Sequence, residues 1–497
     1  MLTLSSAWHS GVLISLICED EMNLPEEFIN EMDDFFSRQD AVPREGFYES
    51  FDKEPLKGIR FSRSKIRSIE EEQRLLAELN ENAEHVTWCS GGYYTKNESS
   101  GREALYHAGV YYPQEPSAML PAQVMAAKPG ETVLDLCAAP GGKACRLGEE
   151  MHGEGILVAN EISFERSKAL LRNIERSGIS GLVILNETPE NIAERLPLFF
   201  DKILIDAPCS GEGMFRRDSG AVKSYMNYGP KVCVPLQRSI LEAADKCLKD
   251  GGSIVYSTCT FCVEEDEEQI ASFIGRHPEY HVKAHPEIQG VTHAGEDSIL
   301  TGSMRIWPHL SDGDGHFCVH LIKGAEKDLR SAEELLIKGE DKRRDKNIEA
   351  ALAVLGEVLS DKGREDLLNG RFVSHGTGLF RMTFDEKMFK GLKVVKTGLY
   401  VGDIKPLKSG KTVFEPSNSI ALSLERSLIR DDSYLALPRN DDRLVKYLRG
   451  ETIPVSREDG LKASGMIIVG IGDYPLGFAK INGSTAKNMY PKAWRLI

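Results

Sequence analysis

The chain has 497 residues, which at roughly 150 residues per domain predicts about three domains rather than one. Lysine and arginine number 61 against 76 aspartate and glutamate, a formal net charge of −15 that excludes a uniformly basic nucleic-acid coat. With 41% hydrophobic and 28% charged residues the composition is that of a packed globular protein, neither collagen-like nor disordered.

No apolar run approaches the ~18 residues that span a bilayer, so no membrane segment is expected. Near the start, Gly11 to Ile17 is apolar, but no lysine or arginine precedes it and no small-residue cleavage site follows. An export signal is therefore not expected, and Met22, just ahead of a plausible helix beginning at Leu24, is the expected start of translation. The ten cysteines lack framework spacing, which suits reduced thiols and a cytoplasmic location.

From 22 to 100 the pattern predicts a small α+β extension, with helical periodicity over Ile69 to Leu79 and a basic patch at Lys57, Arg60, Arg63, Lys65 and Arg67. From 101 to 325 apolar runs alternate with helical segments. The runs are Thr132 to Leu136, Gly155 to Asn160, Leu182 to Leu185, Lys202 to Ile205 and Ser253 to Tyr256. Such alternation predicts a parallel, doubly wound sheet buried on both faces, with ligands beyond the carboxyl ends of its strands. The charged segment Glu326 to Lys346 reads as a linker or solvated helix. Beyond it two small modules are expected, at 350–425 and 430–497. The first carries lysines 387, 390, 393, 396, 405, 408 and 411 with Asp403 as the only acid among them, either a solvated face or a phosphate contact.

The strand tips carry the chemistry. After the first run comes Asp135-Leu136-Cys137-Ala138-Ala139-Pro140-Gly141-Gly142-Lys143, whose small residues let backbone amides approach a ligand at a helix N-terminus. It is not a P-loop, because Cys137 stands where the first glycine would be and Ala144 replaces the magnesium-binding hydroxyl. A structural turn would not need so unbroken a series of small residues. Glu161 follows the second run, where a carboxylate can accept both hydroxyls of a ribose; alone this is a weak signal. The fourth run ends in Asp206-Ala207-Pro208-Cys209-Ser210-Gly211 and the fifth in Ser257-Thr258-Cys259-Thr260, so a carboxylate and two thiols reach the same sheet edge. Cys259 and Cys262 also form a Cys-x-x-Cys pair, but a zinc site needs two further ligands at regular spacing, and no metal is expected.

These motifs resemble those of the Nol/Nop/Sun family of RNA cytosine-5 methyltransferases, most nearly its bacterial RsmF-like rRNA enzymes. The likeness rests on the cofactor motif Asp135 to Lys143, the Pro-Cys motif Asp206 to Gly211 and the Thr-Cys motif Thr258-Cys259. Tyr112 to Met119, Arg305 to His309 and Gly315-His316-Phe317 also look like family signatures, and Lys487 to Arg495 is similar to a terminal PUA-like module. The resemblance implies an α/β class I, Rossmann-like S-adenosylmethionine-dependent methyltransferase with an N-terminal α+β extension and a C-terminal PUA-like domain. It further implies cofactor contacts from residues 137–143, Glu161, Arg166 and Asp206, with Cys259 as nucleophile, Cys209 assisting release of the adduct and Asp206 on the cytosine edge. Lys143 supports either thiolate formation or substrate phosphate, and Arg166 is either a cofactor neighbour or a surface helix residue.

Two departures from the family pattern stand out. Asn186-Glu187 occupies the place of an aspartate for the adenine, and Asp266 replaces a commoner asparagine, a change expected to affect helix capping. The expected partner is RNA, with neither DNA nor membrane, bound by a monomer. rRNA leads as substrate, against tRNA or a catalytically silent assembly factor; intact Asp206, Cys209 and Cys259 oppose the last.

Overall fold

A computed structural model describes residues 24–39, 41–79, 83–97, 100–295, 300–337, 346–406 and 412–496. The expectations about Met1, Met22 and the apolar stretch between them lie outside the described residues, as do Lys408 and Lys411.

The apolar runs become five parallel strands: β1 (Glu131–Asp135), β2 (Gly155–Asn160), β3 (Leu182–Leu185), β4 (Phe200–Asp206) and β5 (Leu248–Thr258). Every residue of β1, β2 and β3 is buried, as strands covered by helices on both faces must be. They lie in the order β3-β2-β1-β4-β5, continued by β6 (His316–Lys323), which runs antiparallel to β5. The chain moves outward in one direction from β1 and in the other from β4, so the loops after these two neighbours diverge and open a crevice between them. Helix α1 (Gly142–Glu150) follows β1, α2 (Phe164–Ser177) follows β2, α3 (Pro230–Cys247) precedes β5 and α4 (Glu267–Arg276) follows it. Ser163 caps α2 by accepting from the Arg166 amide, and Gly178 ends it at φ +68°, a left-handed turn that favours glycine.

The N-terminal extension is α+β. A helix spans Glu26–Ser37, and Lys57–Phe61 pairs with Gly92–Thr95 on one side and Tyr111–Pro113 on the other. Its aromatic side chains Phe28, Phe47 and Phe51 pack with Phe215, Phe261 and Trp307, the last two stacked at 5.4 Å. Phe261 lies two residues after Cys259 and Phe215 six after Cys209, so this cluster pins the loops that follow both motifs.

The basic patch is not the surface expected of it. Arg60 is fully buried, donating to Glu149 at 2.8 Å and to the Gly142 carbonyl at 3.1 Å, and thereby buttresses the start of α1. Arg63 is paired with Glu72 at 2.6 Å, Lys65 donates to the carbonyls of Ala108 and Leu422, and Arg67 pairs with Glu425. Arg60, Arg63 and Lys65 thus tie segments of the chain together, while Arg67 stays exposed in its pair with Glu425.

The expected linker begins as part of the core. Ala332 is buried against the central sheet, and Ser331 donates through its amide and hydroxyl to Asp201. Residues 338–345 lie outside the described residues. Beyond them, four antiparallel strands span Arg371 to Pro416, while Val394–Thr397, termed β7, leaves that sheet and pairs antiparallel with β3 at the edge of the central one. The lysine-rich stretch is therefore divided. Lys396 is buried beside Glu175 and Lys405 pairs with Glu415, whereas Lys387, Lys390 and Lys393 are exposed. Residues 434–496 form a five-stranded sheet whose core merges with that of the N-terminal extension, through Leu435, Leu437 and Leu476 against Ile59, Phe61 and Leu75. Among the described residues no helix is long and apolar enough to cross a membrane.

Candidate active site

At the tip of β1 the chain passes Asp135 and turns through Cys137, Ala138, Ala139 and Pro140, with a cis Ala139-Pro140 peptide, into Gly141 at φ +112°. A side chain at Gly141 would be strained by that φ and would press on Leu170 of α2, so glycine allows both the turn and the close packing of the helices. Asp135 is completely buried and neither carboxylate oxygen has a hydrogen-bond partner among the described residues. Burial, and next the charge of Asp206, push its carboxyl up to about 8. At the tip of β2, Glu161 is buried; it accepts from the Ser163 amide at 2.8 Å and pairs with Arg166 at 3.1 Å. The second guanidinium nitrogen of Arg166 donates to the Ala139 carbonyl at 3.0 Å, tying the acidic strand tip to the small-residue turn. Arg166 thus bonds to the small-residue turn while its side chain remains 60% exposed on the surface of α2.

The tips of β4 and β5 bring the remaining expected residues together. Lys143 Nζ donates to Asp206 Oδ2 at 2.8 Å, and Ser257 donates to Asp206 Oδ1 at 3.0 Å. Burial raises the Asp206 carboxyl, but Lys143 outweighs it and the net shift is downward, so Asp206 is an anion. His316 Nε2 stands 3.8 Å away, and burial lowers its imidazole to about 4, leaving it neutral. Cys209 and Cys259, fifty residues apart, meet with their sulfurs 3.4 Å from each other. The hydrogen bond to the Cys259 sulfur, together with burial, pushes the Cys209 thiol well above the ordinary range.

Glu161 and Asp206 are each paired with a cation, Arg166 and Lys143, while the raised Asp135 carboxyl has none of its own. A buried, unpartnered carboxyl beside a turn of small residues suits a ligand carrying positive charge, which would favour its ionised form, and Glu161 at the next strand tip suits a ribose, as in S-adenosylmethionine. The adenine-side substitution does not free a carboxylate, because Glu187 already accepts from the Lys393 amide at 2.8 Å and from Asn191 at 2.9 Å. Asn186 is likewise occupied by the carbonyls of Glu161 and Ile162.

Asp266 does not cap α4. Its side chain makes no capping bond; Oδ1 accepts from Thr258 at 2.6 Å and Oδ2 is ion-paired with Arg305 at 2.9 Å. Sequence reasoning passed over Asp135 as a site residue although it opens the cofactor motif, and over His316 although it lies in a noted signature. It also missed Ser257, Glu265 and Gln237. Glu265 sits in the acidic run Glu264 to Glu268, which in one dimension looks like any solvated helix start.

Four family descriptions match along the chain: the N-terminal domain of 16S rRNA methyltransferase RsmF at 24–116, 16S rRNA methyltransferase RsmB/F at 122–322, the RsmF first C-terminal domain at 360–424 and the RsmF PUA domain at 434–496. Ribosomal RNA small subunit methyltransferase F of Shewanella oneidensis is 30% identical over 451 residues, 88% of this chain and 90% of that protein. The same-named protein of Shewanella loihica is 29% identical, over 82% of this chain and 83% of its own length. A solved structure of a methyltransferase homolog protein from Pyrococcus horikoshii matches with a TM-score of 0.50 at 26% identity, covering 60% of this chain and 100% of that one. Likeness over nearly the full length, around a crevice built for a cationic nucleoside cofactor, shows that the chain belongs to the RsmF family of S-adenosylmethionine-dependent methyltransferases.

Proposed function

We propose that this protein methylates carbon 5 of a cytosine in small-subunit rRNA through a transient bond between Cys259 and carbon 6 of the base. The observation that carries the reading is the pair of sulfurs 3.4 Å apart beyond the tips of β4 and β5, where Asp206 at the end of β4 is ion-paired with Lys143. Small-subunit rRNA is the substrate named for the relatives.

Cytosine C5 is a poor nucleophile. Addition of the Cys259 thiolate to C6 places an enamine-like electron pair on C5, and later loss of the C5 proton and of the thiolate restores the aromatic ring. Asp206, an anion held by Lys143 and Ser257, accepts from the exocyclic amine of the base and stabilises the form protonated at N3, in which the negative charge that thiolate addition delivers to the ring is neutralised. Residues 137–142, Asp135, Glu161 and Arg166 would hold S-adenosylmethionine, which supplies an electrophilic methyl group. Cys209 keeps its proton because the Cys259 sulfur lies beside it. Cys209, its sulfur 3.4 Å from that of Cys259, assists release of the adduct, the step in which the C5 proton is removed and the Cys259 thiolate leaves C6. The target base must leave its stack to reach these groups.

Exposed Lys387, Lys390 and Lys393, with the PUA-like segment, are the proposed RNA contacts outside the crevice. Bisulfite sequencing of rRNA and tRNA from a deletion strain tests the function: one or more small-subunit rRNA cytosines should lose their mark. Loss confined to tRNA would overturn the substrate assignment. Cys259→Ala should abolish transfer while leaving cofactor affinity intact, and Cys209→Ala should leave RNA-linked protein on denaturing gels.

A further inference from the structure

Two consecutive acidic residues just before α4 reach the two cysteine loops separately. Glu265 accepts from the amide and hydroxyl of Ser210, the residue after Cys209, with the amide at 3.2 Å from Oε2. It also accepts from Gln237 at 2.7 Å, and the same Gln237 nitrogen donates at 3.0 Å to the carbonyl of Pro208, the residue before Cys209. Asp266 accepts from Thr258, the residue before Cys259, and is held in turn by Arg305. Thr260, the residue after Cys259, places its hydroxyl 2.9 Å from that of Ser210. Each cysteine is thus gripped on both flanks, and both grips meet at the backbone of residues 265 and 266. Ser210, Gln237, Thr258, Thr260, Glu265 and Asp266 are all buried.

Burying two acids is costly and seldom stabilises a fold more than apolar packing would, whereas directional bonds to both loops hold one arrangement of them. Adduct formation requires only that Cys259 reach C6. Breakdown also requires Cys209 within reach of the same base, so it depends on the separation between the sulfurs.

We propose that Glu265 and Asp266 are positioning residues that together set the Cys209–Cys259 separation and so govern breakdown of the covalent RNA adduct rather than its formation. This rests on the covalent reading above.

The test uses the full chain with Glu265→Ala, Asp266→Ala and the conservative Asp266→Asn, which keeps an acceptor for Thr258. If an alanine variant fails to fold, Ser210→Ala and Thr258→Val remove the hydroxyl bonds to Glu265 and Asp266 from the loop side. Both disruptive variants should lose about 10- to 100-fold in kcat, the effect of ångström-scale misplacement, with KM for RNA nearly unchanged and RNA-linked protein accumulating. Asp266→Asn should restore most of the turnover.

A second readout needs no RNA. Phenylarsine oxide binds two neighbouring thiols through one arsenic with release of water, so its affinity reports the separation of the sulfurs, with Cys209→Ala as background. The alanine variants should bind it about 10-fold more weakly. Wild-type arsenical affinity in both variants, or a loss confined to KM, would overturn the proposal. Weakened arsenical binding with no adduct in any variant, Cys209→Ala included, would instead overturn the covalent reading and leave the positioning role standing.

Discussion

Replacing Asp206 with asparagine keeps the size of the side chain and removes its charge. At 2.8 Å and an effective dielectric constant of about 20, the attraction to Lys143 is roughly 6 kcal/mol before desolvation. Asp206 is 31% exposed and Lys143 11%, so solvent screens the pair. The net stability loss should therefore be only about 1–3 kcal/mol, that of one hydrogen bond to a charged group. Catalysis should suffer more, because the base protonated at N3, the form that accepts the thiolate, loses its anion; kcat should fall about 10²- to 10⁴-fold. The folded Asp206 carboxyl lies below its ordinary value and the Lys143 amine above its own. The contribution of Asp206 to stability is thus lost only as pH falls below the ordinary carboxylate range, and between pH 5 and 8 the pair is intact. Measured by transfer of labelled methyl to RNA, the kcat deficit of Asp206→Asn should be constant across that window. A variant within about two-fold of wild type, or a deficit that disappears toward pH 8, would refute the anionic role.

Asp135 titrates with the opposite sign. With its folded value near 8 against an ordinary 3.8, the stability it contributes is complete below pH 4 and is lost as pH rises through 8, so Asp135→Asn should raise the melting temperature more at pH 8 than at pH 5, by differential scanning calorimetry. Equal shifts at both would count against its buried, unpartnered state. Arg60→Ala should cost about 3–5 kcal/mol in urea unfolding by stranding buried Glu149, with little change in the salt dependence of RNA affinity. Replacing Lys387, Lys390 and Lys393 together by alanine should instead leave stability unchanged and flatten the slope of log affinity against log salt by about 2. Phe47→Ala, at the centre of the aromatic cluster, should cost about 3–5 kcal/mol by the same unfolding assay.

What the amino-acid order alone determined is whatever depends on short-range pattern. The five strands were legible because a parallel strand buried on both faces needs an unbroken apolar run, and β1 to β5 each contain one. Cys137 to Lys143, Asp206 to Gly211 and Thr258-Cys259 were legible for the same reason, since each directly follows or ends a strand. The fate of charged side chains was not legible, because it depends on partners far along the chain. Arg60 finds Glu149 and Lys396 finds Glu175, so cations that look like a surface patch become internal ties. Likewise β7 joins the central sheet from a segment more than two hundred residues beyond β3. Only tertiary structure could bring the two sulfurs to 3.4 Å and place Glu265 and Asp266 behind them, because a buried acid and a solvated one have the same sequence signature until the fold decides what surrounds it.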